Sequence, residues 1–125
     1  MQNTTSDMRA IIGQTGEDLA AIYLIKNGYD ILERNFRCRI GEIDIIAQKD
    51  GVLTFVEVKT RLNTITGLPS EAVTYRKQQK IRATSKYYMM INGLLKHMPV
   101  LSFDVIEIVK NGDKIILFNH YKHCF

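Results

Sequence analysis

The Asp50-Gly51 pair leaves the middle of this chain little freedom in how to fold. Gly41-Glu42-Ile43-Asp44-Ile45-Ile46-Ala47 runs into it, and Thr54-Phe55-Val56-Glu57-Val58-Lys59 leaves it. Asp-Gly between two alternating apolar segments is a strong signal for a two-residue β-hairpin. Folded symmetrically about that turn, Asp44 faces Glu57 and Glu42 faces Lys59. Side chains alternate along a strand, so these four residues project from one face. Carboxylates directly opposite each other repel. Such a pair is solvated, shares a proton, or holds a cation. A different turn length would shift the register and separate it. The plain structural alternative is a cross-strand ion pair of Glu42 with Lys59 beside two solvated acids.

The flanking sequence supplies the other elements. A first helix is expected over about Met8 to Asn27. Thr15-Gly16-Glu17-Asp18 also reads as a capping box, which would start it later, and Asn27-Gly28 is a stop signal. Strands follow at Tyr29 to Arg37, Arg39 to Ala47 and Val52 to Lys59. Ile43, Ile45, Val56 and Val58 are expected to share the face that packs on a helix. Ile46 and Phe55 lie on the charged face, so both faces are covered. Thr60 to Ser70 is a polar loop, either an ordinary connection or a flap over substrate. A long helix over about Glu71 to Asn92 then buries Val73, Ile81, Tyr88 and Ile91. Strands at Val100 to Val109 and Lys114 to Asn119, joined at Asn111-Gly112, complete the chain. The order is helix, three strands, helix, two strands. The second helix allows a right-handed crossover to a parallel fourth strand. The expected class is an α/β sandwich around a mixed sheet.

The 125 residues suit one domain, with 1–7 and 120–125 as flexible ends. No apolar run approaches the ~20 residues that span a bilayer. The polar start lacks the order of a signal peptide, so a cytoplasmic protein with no membrane partner is expected. Cys38 and Cys124 lie far apart in sequence and are expected as free thiols.

Net charge is +4, and its distribution says more than its size. From Ala72 to Phe103 there is no Asp or Glu, while Arg76, Lys77, Lys80, Arg82, Lys86 and Lys96 fall in that stretch. An acidic cluster beside a basic helix suits metal-assisted chemistry on phosphodiesters, and a solvated helix face is the plainer reading. Mg²⁺, with Mn²⁺ as substitute, takes hard oxygen ligands and keeps several waters, so Asp44 and Glu57 meet its needs. Lys59, two residues past Glu57, would orient a water or neutralise the scissile phosphate. Glu17 sits at the edge of the first helix's apolar stripe. It is either a third ligand or a first-turn acid favoured by the helix dipole. Asp104, alone in an apolar strand, either pairs with a cation of the long helix or supports the site from the next strand. His120-Tyr121-Lys122-His123-Cys124 resembles a soft-metal motif but reads better as a frayed tail.

Gly41-Glu42-Ile43-Asp44-Ile45-Ile46-Ala47 with Phe55-Val56-Glu57-Val58-Lys59-Thr60-Arg61 resembles the YraN family of bacterial proteins. The likeness extends to Gly16-Glu17, Arg34-Asn35-Phe36-Arg37, Glu71-Ala72-Val73 with Lys77 and Lys80-Ile81, and Phe103-Asp104-Val105, thus over about Gly13 to Val109. That family is similar to archaeal Holliday-junction resolvases and to PD-(D/E)xK nucleases. The resemblance implies a restriction-endonuclease-like core. It also implies Asp44 as motif aspartate, Glu57 and Lys59 as the E-x-K pair, and Glu17 as the first-helix acid. Glu42 belongs to the family pattern without an assigned role. The wider motif often has Pro before its aspartate, where Ile43 stands here. The expectation is a Mg²⁺-dependent DNA endonuclease acting on branched or recombining DNA, as a homodimer. Arg61, Arg76, Lys77, Lys80 and Lys86 would contact the nucleic acid. The alternative is a nucleic-acid-binding module that keeps the fold without hydrolysis.

Overall fold

The computed structural model describes residues 15–62 and 73–125. Helix α1 spans Gly16–Lys26, β1 Asp30–Arg37, β2 Glu42–Lys49, β3 Val52–Leu62, α2 Tyr75–Ile91, β4 Val100–Asn111 and β5 Lys114–Tyr121. The five strands form one sheet in sequential order. β4 runs parallel to β3, and the other neighbours are antiparallel. The expected helical residues before Thr15, the loop over 63–70, and Glu71 and Ala72 lie outside the described residues.

α1 begins at the later of its two expected starts. Thr15 accepts the Asp18 N–H at 3.2 Å, and Asp18 accepts the Thr15 N–H in return, a complete capping box. Asp18 also accepts Arg34 of β1 at 2.7 Å, tying the helix start to the sheet edge. Asp50 and Gly51 both have positive φ (51° and 78°), as a two-residue turn matched to strand twist requires. The last hairpin turns at Gly112 and Asp113, because Asn111 is still paired with Lys114; the turn lies one residue later than expected.

The core has two layers. Beneath α2, Phe36, Ile43, Ile46, Leu53, Phe55, Phe103 and Val105 pack with Ile81, Tyr88 and Met89. Beneath α1, Ile45, Ala47, Val56, Ile106 and Ile108 pack with Ala20, Ala21 and Leu24. Ile91, expected inside, is exposed, and Met89 takes the buried place. Ile43 also departs from expectation. It lies under α2, whereas Ile45, Val56 and Val58 lie under α1. Asn35 on the neighbouring strand, between Arg34↔Ile45 and Phe36↔Ile43 of the β1–β2 ladder, has φ 54°, and the ladder keeps its register across it. The two-residue alternation fails between Ile43 and Ile45, on either side of Asp44, where the β2–β3 ladder ends.

Residues 120–125, expected as a loose end, are docked instead. The Cys124 N–H donates to the Phe103 carbonyl at 2.7 Å. Phe125 stacks on Phe103, with Arg82 over both rings. Cys38 and Cys124 are free thiols. Among the described residues no helix is long and apolar enough to cross a membrane.

One glycine is required by close approach. A Cβ on Gly16 would run into the Thr60 hydroxyl and sit 2.9 Å from its Cβ. Gly16→Ala should therefore cost about 1–3 kcal/mol through overpacking. Thr60→Ala in the same chain should recover part of that loss. Urea melts of both variants and the double variant measure the coupling.

Candidate functional site

The hairpin mirrors about Asp50-Gly51 as expected from Lys49↔Val52 to Ile45↔Val56, where the β2–β3 ladder ends. Past that point the strands part, and Asp44 fills the opening. Its Oδ2 accepts the Val58 N–H at 2.8 Å, taking a donor that a strand carbonyl would otherwise satisfy. Asp44 is thus wedged between strands, 8 % exposed. Glu57 lies within hydrogen-bonding reach, and the charge of Glu17 on α1 is also felt. Burial is the largest cause pushing the Asp44 pKa up to about 7. The Val58 N–H opposes it, and the negative charges of Glu57 and Glu17 add to it.

The parting of β2 also redirects Glu42. It pairs with Arg37 on β1, in Cα register and through an ion pair, and not with Lys59 as the extended mirror would have it. Glu57, alternating with Phe55, faces α2 and forms an ion pair with Lys77. Lys77 reaches it because it shares a helical stripe with buried Ile81, Thr84 and Tyr88. Lys59 is half-buried on the same face and makes no ion pair among the described residues.

The other candidates separate. Arg76, Lys80 and Lys86 are exposed on α2, whereas Arg61 points its Nε at Glu107, 3.6 Å away. Glu107 was not among the residues singled out from the sequence. It is 0 % exposed, stands in register with Lys59 on the parallel strand, and accepts the Tyr121 hydroxyl at 3.4 Å. A lone acid inside the apolar run Val105–Val109 needed partners, and that was the available signal. Asp104 answers to neither expected role. It faces α1 with Ile106, and its carboxylate accepts Ser102, His120 Nε2 at 2.7 Å and the His123 N–H at 3.2 Å. Tyr23 closes the chain on His120 Nδ1 at 3.0 Å.

The donor set at the open strand end is chemically hard. Asp44 and Glu57 offer carboxylate oxygens, and Mg²⁺ accepts two protein oxygens when water fills the rest. Among the described residues no three His, Cys, Asp or Glu side chains gather closely enough to ligate one ion. Asp44 and Glu57 are the two carboxylates that would hold a water-rich Mg²⁺ or Mn²⁺ ion here.

Fold and site together define an α/β domain with a buried aspartate beside a glutamate where two strands of a mixed sheet separate. The sequence model of the "Uncharacterised protein family UPF0102" matches residues 16–108. A UPF0102 protein of Caldanaerobacter subterraneus subsp. tengcongensis is 47% identical over 116 residues, covering 91% of this chain and 93% of its own. UPF0102 proteins of Lachnoclostridium phytofermentans (47% over 108 residues, 86% and 91%) and Clostridium acetobutylicum (52% over 99 residues, 79% and 80%) are similarly close. The chain belongs to the UPF0102 (YraN) family, as its motifs led us to expect.

Proposed function

We propose that this protein is a divalent-metal-dependent DNA endonuclease of the restriction-endonuclease-like class, akin to the resolvases that cut branched DNA. The observation that carries the reading is Asp44. A carboxylate buried beside Glu57 and within the field of Glu17 is destabilised when ionised, and a divalent cation relieves it. In this reading Asp44 and Glu57 would hold the ion, and Glu17 would support it from α1. A bound Mg²⁺ supplies Lewis-acid neutralisation and an acidified water. Lys59 donates to the scissile phosphate or to the attacking water. Arg76, Lys80 and Lys86 neutralise backbone phosphates along α2.

The test is incubation with labelled duplex, flap and four-way-junction DNA in Mg²⁺ or Mn²⁺. Cleavage should fall by about 10²–10⁴-fold in Asp44→Asn, Glu57→Gln and Lys59→Ala. Undiminished cleavage by Asp44→Asn overturns the assignment.

Two observations favour a second reading, a binding module without hydrolysis. Glu57 is already neutralised by Lys77, and no three-ligand group stands among the described residues. That module binds DNA with a log-log salt slope of about 0.9 per phosphate contact and ignores divalent ions beyond their ionic strength.

A further inference from the structure

Lys77 occupies an unusual position for a cation. It lies in the first turn of α2, which also holds Arg76 and contains no acid. The helix dipole disfavours positive charge there and favours an anion. With no acid between Ala72 and Phe103, the partner comes from the sheet, and it is Glu57. The two ends of the pair differ in freedom. The Glu57 side chain is 11% exposed and fixed in β3, whereas that of Lys77 is 47% exposed on a flexible stem. If Glu57 takes another cation, Lys77 can leave, and its own helix offers it no replacement carboxylate.

Resting on the metal-dependent reading above, we propose that Lys77 is the site's internal counter-cation. It neutralises Glu57 when no divalent ion is held, and it is displaced toward a DNA phosphate when one binds. Metal and DNA binding are then coupled through one side chain. The ion releases a phosphate-binding ammonium, and a phosphate that captures it vacates Glu57 for the ion.

Mn²⁺ titration of the free protein, read by the electron-spin-resonance signal of unbound Mn²⁺, tests this directly. Lys77→Gln removes a competing charge and should bind Mn²⁺ about fivefold more tightly than wild type. Lys77→Arg should bind like wild type, and so should the charge-matched control Lys26→Gln at the far end of α1. Folding is not at risk, because the Lys77 N–H already donates to the Thr74 cap and Gln at that position completes a capping box. A second readout uses duplex binding in Ca²⁺. Adding Ca²⁺ should steepen the wild-type salt slope by about one phosphate contact and leave that of Lys77→Gln unchanged. Equal or weaker Mn²⁺ affinity in Lys77→Gln overturns the role of Lys77 and leaves the metal site standing. If neither wild type nor Lys77→Gln takes up Mn²⁺, the metal-dependent reading itself fails, and the exchange with it.

Discussion

Asp44→Asn should stabilise the protein at pH 8 by about 2–4 kcal/mol while removing its response to divalent ions. The Asp44 pKa is pushed from 3.8 up to about 7, first by burial, then by Glu57 and Glu17 against the opposing Val58 N–H. A change of that size corresponds to about 4 kcal/mol of differential interaction between the two protonation states. The folded chain keeps the proton to about pH 7, and the unfolded chain loses it near 3.8. Between those values the native state binds more protons, so stability falls as pH rises through the window. The penalty is absent below the window and complete above it. Asparagine cannot ionise, and it preserves the local bonding. Its carbonyl oxygen accepts the Val58 N–H, and its amide donates toward Glu57. Wild type and Asp44→Asn should therefore have similar urea midpoints at pH 4 and diverge steadily toward pH 8. Mg²⁺ or Mn²⁺ should raise the wild-type midpoint most at high pH, where Asp44 is ionised, and leave the variant unmoved. Equal wild-type stability at pH 4 and pH 8 would contradict the strain assigned to this carboxylate.

Asp104→Ala should be the most destabilising of the changes considered, at about 3–5 kcal/mol. Asp104 is 2% exposed, and its removal strands Ser102, His120 and the His123 N–H together. His120 bridges Asp104 through Nε2 and the Tyr23 hydroxyl through Nδ1, so the loss extends to α1. Hydrogen-exchange protection should drop first in residues 120–125, which dock through this network and the Cys124–Phe103 bond. Burial alone would raise the Asp104 pKa, but the bonds from His120, Ser102 and His123 outweigh it and hold the pKa below 3.8. The pH signature is therefore opposite to that of Asp44. This stabilisation is present above the unfolded-chain pKa and is lost only as pH falls below about 3.8. A melt of Asp104→Ala that tracks wild type, with unchanged exchange at the C-terminal segment, would rule out a structural role for the network.

Much of the fold was readable because its determinants are local. The Asp50-Gly51 turn set the register of β2 and β3 through five residues on either side, and Thr15 to Asp18 closed α1 by contacts three residues apart. The parallel return of β4 followed from a helix of sufficient length between the strands. The candidate acids were legible for the same reason. Asp44 and Glu57 lie within one hairpin, and Glu17 follows a helix cap.

The failures have a common source in contacts that span the sheet. Nothing in Ile43-Asp44-Ile45 announces that Ile43 and Ile45 face opposite layers. Glu42 looked like the partner of Lys59 until β2 parted from β3 and left it with Arg37. Glu107 meets Arg61 and Tyr121 only because β4 and β5 add to β3 in a particular register. The sequence alone determined which residue types line the hairpin, where it turns, and that its acids would be crowded. Tertiary structure decided that Asp44 wedges between strands, that Lys77 neutralises Glu57, and that Asp104 locks the chain end. Alternation and turn chemistry act over a few residues. Burial and the charge around a carboxylate exist only once distant strands and helices close over it.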